Sequence, residues 1–383
     1  MRIGMFADMY KPHVSGVTNY ISMYKTRFEQ LGHEVYVFTY GNRSYTDEEV
    51  NVIRSPAIAW GNTGWQMGLS LSQEAKKLIP TMDVAHIHHP FLSGRVAIRE
   101  CGPHRIPLVF TNHSRYDIFA DEYAAFLPRN MRMAFLRSYL GAFAKKMDMY
   151  LAPSAGIIEW LHEMGIDENV HLHNNVIDTP AFLHPQNPRQ RSEFGWTSHE
   201  IVFCHLGRFA AEKNIDVLLE SYVTLARQEP RSRLLLIGDG PRRADMDAKL
   251  RECGIIDNVH FAGSTPYSEV PGLLGIADVF VTASVSETFP LVLMEAAAAG
   301  LALVGVSSPG VSDIIIDGET GFLATNSAAD LAEKLGRLAS DDSLRQRMKA
   351  AARQSAERFD IKPMADKLLS HYEAHIASRR SAS

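Results

Sequence analysis

The sequence predicts an α/β protein of two domains, each a parallel sheet flanked by helices. Its 383 residues, 46% hydrophobic and 22% charged, suffice for more than one buried core. Short apolar, β-branched runs alternate with amphipathic stretches in both halves. Several of these runs end in turns that combine glycine with charged side chains, as at Leu206-Gly207-Arg208. The carboxyl edge of such a sheet is where open α/β proteins bind ligands.

The first domain opens with a strand over Ile3 to Ala7, a turn through Pro12, Ser15 and Gly16, and a helix over Val17 to Leu31. Gly32-His-Glu-Val-Tyr-Val-Phe-Thr completes a βαβ unit, and Gly16 allows backbone to approach a ligand at the helix start. Asp83-Val-Ala-His86-Ile-His88-His89 suggests a metal site, but on a strand His86 and His88 share a face while His89 points away. A strand-end role is favoured for all three. Leu108-Val-Phe-Thr-Asn-His113 is a further strand, which leaves His113 at the sheet edge.

Between Glu122 and Asp148 there is no acid, while Arg129, Arg132, Arg137, Lys145 and Lys146 are present. Met133, Leu136, Leu140, Phe143 and Met147 form one core-facing stripe, and Met131 and Phe135 fall outside it beside cations. This helix reads equally as a packed helix with a solvated basic edge or as a contact with an anionic membrane. Trp60, Trp65 and Met67 offer a second membrane or acceptor contact of the same ambiguity. Pro180, Pro185 and Pro188 read as a linker, which puts the domain boundary near residue 185: residues 1–185 with 361–383, and 186–360.

In the second domain, Ile201 to Leu206 is a strand whose following turn holds Gly207, Arg208 and Lys213. A guanidinium fork and an ammonium in one turn suit a diphosphate. Arg233 to Ile237 leads into Gly238-Asp-Gly240, and Asn258 to Gly263 is the next strand. Arg243 stands where a dinucleotide-binding pattern needs its third glycine, which weakens an NAD reading. Asp245 and Asp247 lie two apart on a helix, pointing away from each other, so they form no metal pair. The strand Ala277 to Ala283 precedes a turn with Glu287 and a helix over Leu293 to Ala299 closed by Gly300. Glu287 and Glu295 could grip a hydroxyl-rich ligand such as a sugar or ribose, or be a loop acid and a surface helix acid. The helix start is expected to present free N–H groups over residues 289–292. Residues 328–359 read as two amphipathic helices and Ile361 to Ile376 as a last one.

Gly207-Arg-Phe-x-x-Glu-Lys213, Gly238-Asp-Gly-Pro241, Val259-x-Phe-x-Gly263 and Glu287-Thr-Phe-Pro-Leu-x-x-x-Glu295, followed by Gly300, resemble the ordered signatures of the retaining glycosyltransferases of family 4. The resemblance spans nearly the whole chain. It implies a GT-B fold, two Rossmann-like domains facing across a cleft, with the last helix crossing back to the first domain. It also implies transfer of a hexose from a nucleoside diphosphate sugar, UDP-glucose favoured, with retained configuration and no metal or other cofactor. Arg208, Lys213, Glu287 and His113 would then serve catalysis. Gly16, Gly207, Gly238, Phe261, Phe289, Pro290, Leu291 and Glu295 would hold the donor, with the base near Phe261 and the ribose on Glu295. The opening Phe6 to Val17 and the Thr111 to Asp117 segment are similar to diacylglycerol glucosyltransferases, which makes a membrane lipid the first acceptor to consider. A small soluble acceptor, an epimerase and a phosphorylase remain the alternatives.

The net charge of −5 argues against general nucleic-acid binding. Cys101, Cys204 and Cys253 follow no disulfide or zinc spacing, which fits a reducing compartment. No run approaches the roughly 18 apolar residues of a membrane span, and Met1 to Phe6 reads as a strand with no signal-peptide shape. The expected location is the cytoplasm, with the inner face of the membrane as the meeting place for a lipid acceptor.

Overall fold

The computed structural model describes all residues of the chain except 14, 42–44, 60–65, 69, 70, 124, 125, 286, 288, 382 and 383, and the side chains of 58, 59, 66, 67, 119, 121–123, 309 and 380. Trp60, Trp65 and the Met67 side chain, singled out above, lie outside the described residues. The chain forms two compact units, Met1–Val176 with Ile361–Ser383, and Ile177–Asp360.

The sheet of the first unit has seven strands, in the order Val52–Ser55, Glu34–Tyr40, Arg2–Phe6, Val84–Ile87, Leu108–Thr111, Met149–Ala152 and Val170–Leu172. Every pairing is parallel. Successive side chains alternate between faces, so each strand feeds two cores. Ile3, Met5, Val35, Val37 and Val109 pack on one side with Tyr20, Tyr24 and Phe28 of the helix Gly16–Gln30. Phe6, Phe38, Ile87 and Phe110 pack on the other with Leu136, Leu140 and Phe143 of the helix Arg129–Ala144. Met131 and Phe135 of that helix are 56% and 65% exposed, as their place off the apolar stripe requires. Ser15 caps the helix Gly16–Gln30, its hydroxyl accepting from the Thr18 amide. The final helix, Ile361–Ser381, inserts Leu368 and Tyr372 into the same core as Tyr24 and Phe28.

In the second unit six strands run in the order Val259–Gly263, Ser232–Ile237, Ile201–Leu206, Val279–Thr282, Ala302–Val306 and Gly321–Ala324, again all parallel. The chain enters this unit at Ile177, ahead of the Pro-rich stretch expected to be the linker. Phe182 and Trp196 explain why: both are buried in the second unit's core, and the Ile177 amide bonds to the Phe359 carbonyl. Apolar residues on both sides of the prolines therefore hold that stretch inside the unit.

Each sheet reverses its winding direction once. In the first unit this occurs between Arg2–Phe6 and Val84–Ile87, and in the second between Ile201–Leu206 and Val279–Thr282. Where neighbouring strands send their following segments to opposite faces, a crevice is left at their carboxyl ends. The segments that begin there are Ala7-Asp8 and His88-His89 in the first unit, and Gly207-Arg208 and Ala283-Ser284 in the second.

Candidate active site

At the second unit's reversal point the two expected turns meet. Lys213 ends a short 3-10 turn, Ala211–Lys213, and donates to Glu287 at 2.5 Å. Asn214, next in the chain, takes a left-handed conformation that asparagine tolerates well (φ 54°). Its side-chain amide donates to the Ala283 carbonyl at 3.1 Å and to Asn326 at 2.7 Å, which ties the lysine turn to the end of the neighbouring strand. Arg208 is exposed and pairs with no carboxylate among the described residues.

The glycines beneath this turn have a packing role of their own. A Cβ on Gly238 (φ 126°) would lie 2.0 Å from the Gly207 carbonyl oxygen, and one on Gly240 would lie 2.4 Å from that of Phe209. Main-chain bonds from Gly207 to Ile237, Phe209 to Asp239 and Gly238 to Gly263 stitch the three strand ends together. Gly207 and Gly238 thus hold Arg208 in place by close backbone approach. Phe261 lies under the Arg243 guanidinium, 3.3 Å from its ring centroid, and meets the edge of Phe209. Arg243, the residue that breaks the dinucleotide pattern, is therefore stacked on the strand expected to face the base.

Glu295 sits inside the helix Leu291–Ala298 and is only 3% exposed. Burial pushes its carboxyl up to about 7, even though the Tyr267 hydroxyl donates to it at 2.9 Å and favours the ionised form. Phe289 is buried edge-on against Phe359, Pro290 is buried at the helix cap, and Leu291 is partly buried as the first helical residue. The expectation of free amides over 289–292 needs correction: Pro290, at the helix cap, has no N–H to offer, and the next turn's Leu293 amide already bonds the Pro290 carbonyl at 3.2 Å. Gly300 closes the helix in a left-handed conformation (φ 79°). Asp245 and Asp247 lie on the helix surface in ion pairs with Arg242 and Arg251.

Two residues of this site escaped the sequence reading. Tyr267 stands 28 positions before Glu295, at the start of a short 3-10 turn, Tyr267–Glu269, and only the fold brings them together. His205 was read as one residue of a buried strand. Its Nδ1 donates to the Val281 carbonyl at 3.0 Å, and its buried Nε2 has no partner among the described residues. Burial lowers its pKa to about 4, so the ring is neutral.

In the first unit Gly16 is the exposed first residue of its helix. His113 is partly exposed, and its Nε2 lies 3.1 Å from Nδ1 of the fully buried His88. Burial, with a smaller effect of His89, lowers the His113 pKa to about 3. His86 is bonded to Thr111 and to Tyr372, and the Asp8 amide donates to His89. The strand-end histidines are therefore engaged within the fold.

Residues 14–180 match the model described as Glycosyltransferase Family 4, and residues 186–355 match that of Glycosyl transferases group 1. The chain belongs to family 4 of the glycosyltransferases. This glycosyltransferase has the GT-B fold and uses a nucleotide sugar as donor. It is 27% identical over 344 residues to the alpha-monoglucosyldiacylglycerol synthase of Streptococcus pneumoniae, an alignment covering 84% of this chain and 75% of that protein. The Acholeplasma laidlawii synthase of the same name is 28% identical, with 84% of each chain covered. Among solved structures, Anabaena HepE in complex with UDP and glucose superposes with a TM-score of 0.74 at 17% identity, covering 98% of this chain and all of that one. WaaG, a glycosyltransferase involved in lipopolysaccharide biosynthesis, gives 0.70 at 18%, covering 96% and 98%. Among the described residues of the glycosyltransferase no helix is long and apolar enough to cross a membrane.

Proposed function

We propose that the enzyme transfers a hexose, with glucose from UDP-glucose the favoured case, to a hydroxyl of a membrane lipid such as diacylglycerol, retaining the anomeric configuration and using no metal. The observation that carries the donor half is the Lys213–Glu287 pair beside exposed Arg208 at the second unit's reversal point. A cation already positioned and only 27% exposed stabilises charge that builds on a departing diphosphate without having to reorganise. In this reading the diphosphate takes the Lys213 ammonium and Arg208. Glu287 is then released toward a sugar hydroxyl, Glu295 accepts from the ribose diol, and His113 contacts the sugar.

The acceptor half rests on the helix Arg129–Ala144 and on the relatives. Phe126, Met131 and Phe135 are 83%, 56% and 65% exposed, and Arg129, Arg137, Lys145 and Lys146 are exposed near them. Apolar groups flanked by cations suit an anionic bilayer, where each basic residue contributes about 1 kcal/mol. Two relatives are named as synthases of a glucosylated diacylglycerol. Peripheral contact with the inner face of the membrane follows from the same reading.

The test is to incubate the protein with UDP-, GDP- and ADP-sugars, with and without vesicles containing diacylglycerol and an anionic phospholipid, and to measure released nucleotide and glycolipid. UDP release that depends on the vesicles, with the product's anomeric configuration matching the donor's, supports the proposal. Release without lipid, onto a soluble acceptor, would remove its acceptor half. An isomerised nucleotide sugar, or cleavage dependent on phosphate, would replace it with an epimerase or a phosphorylase.

A further inference from the structure

The ring of His113 is held from behind by a second imidazole. His88 follows the strand Val84–Ile87 and His113 follows its neighbour Leu108–Thr111. The two rings lie 5.3 Å apart and 29° from parallel, joined by the contact between Nδ1 of His88 and Nε2 of His113. Tyr20, from the helix Gly16–Gln30, presses its ring against both, 4.9 Å from His113 and 5.7 Å from His88. On the far side of His88, 4.3 Å away, lies His86, fixed by Thr111 at 2.7 Å and by Tyr372 of the final helix at 2.5 Å. His88 and His86 are fully buried. The arrangement is therefore a rigid stack that backs one partly exposed ring.

One proton lies between the two facing nitrogens, and its owner can be argued from the other end of His88. Nε2 of His88 is buried and has no partner among the described residues. If His113 donated, a neutral His88 would carry its own hydrogen on Nε2, and a buried N–H would be left without an acceptor. If His88 donates from Nδ1, the unpartnered atom is only a lone pair, and orphaned buried donors are the rarer and costlier kind. A doubly protonated His88 is disfavoured because burial drives its pKa well below the usual histidine range. With Nε2 of His113 accepting, the hydrogen of that ring sits on Nδ1.

We infer that His88 is a positioning residue that fixes His113 as a neutral imidazole with its hydrogen on Nδ1. In the transferase reading that Nδ1 hydrogen is what His113 offers the ligand, and the ring does not shuttle protons. The groups facing this pair are Tyr20 from the first helix, His86 and His89 from the adjoining strand end, and Asp8 beyond His89. The ligand's identity rests on the transferase reading, but the tautomer does not.

Two measurements test this. Protein labelled with 15N-histidine gives two-bond proton–nitrogen correlations that distinguish the tautomers, with His113 assigned by its loss in His113→Gln. The expected pattern at pH 7 is a neutral ring protonated at Nδ1, unchanged at pH 5.5; an Nε2–H ring or an imidazolium overturns the inference whether or not the protein transfers a sugar. In turnover, His88→Leu should lower kcat about tenfold, the worth of one well-placed hydrogen bond, with the donor KM changed by less than about threefold. His88→Asn, whose amide can donate from near the Nδ1 position, should recover most of that loss. Equal activity loss in the two folded variants would contradict positioning. If the labelled wild type shows the expected tautomer but no donor is turned over, the functional reading fails and the positioning stands.

Discussion

The two reversal points share a topology and treat charge in opposite ways. In the second unit a cation and a carboxylate lie paired within reach of solvent, 27% and 18% exposed, beside an arginine that pairs with no carboxylate among the described residues. In the first unit the same place in the sheet holds a stack of imidazoles and a tyrosine that are neutral and almost wholly buried. An ion pair open to solvent can exchange one partner for a ligand at little cost. A buried neutral stack cannot be recharged cheaply, but it can hold one ring at a fixed angle. The second unit thus offers a charge that can change partners, and the first a ring held at a fixed angle.

The largest effect should come from removing the charge. Lys213→Ala is expected to lower kcat by a factor of about 100 to 1000, on the order of 3 kcal/mol of barrier, and Arg208→Ala to act in the same direction, in a steady-state assay of nucleotide release. An unchanged kcat in both would break the comparison at its binding half.

The buried histidines of the first unit and Glu295 of the second should respond to pH with opposite signs, while His205 of the second unit, lowered to about 4, acts in the same direction as the first unit's histidines. His113 and His173 have pKa values lowered to about 3, and burial drives those of His86 and His88 well below the usual range. Their contribution to stability is complete above the unfolded value near 6.5. It is lost as pH falls from there toward 3, by up to about 1.4 kcal/mol per pH unit for each group. Glu295 is raised from 4.5 to about 7, so its burial costs stability as pH rises through that interval. Hydrogen exchange corrected for its intrinsic pH dependence should show weaker protection at pH 5 than at pH 7 in peptides from residues 84–113, and a smaller loss in peptides from 291–300, where Glu295 opposes His205.

The affinity for UDP-glucose, followed by calorimetry, should fall as pH drops below about 7, approaching tenfold per pH unit, because Glu295 must ionise to accept from a diol. Glu295→Gln should bind more weakly and lose this pH dependence. The smallest effect is expected from Tyr267→Phe. Losing its hydrogen bond removes an influence that lowers the Glu295 pKa, so the midpoint of the affinity profile should move upward by less than about one pH unit.

Much of the fold was legible because it rests on local periodicity. Strands buried on both faces read as continuous apolar runs, and the stripe Leu136, Leu140, Phe143, Met147 pointed inward as its spacing demands. The linker was misjudged because proline marks a break in secondary structure and says nothing about what the flanking apolar residues, Phe182 and Trp196, pack against. At the site, Lys213 and Glu287 could be nominated because each stands in a strand-to-helix turn, but their pairing depends on which strands are neighbours. The partners Tyr267 of Glu295 and His88 of His113 were out of reach for the same reason. Contacts between residues 25 or more positions apart follow from strand order, which no local pattern encodes.

The central claim is that the cation at the second reversal point exchanges Glu287 for a diphosphate. A crystal structure with UDP-glucose, or with UDP and a non-transferable glucose analogue, tests it most directly. The account predicts diphosphate oxygens within hydrogen-bond distance of Lys213 and Arg208, the ribose hydroxyls on Glu295, and the Lys213–Glu287 contact opened. A nucleotide bound elsewhere, with Lys213 still on Glu287, would contradict it.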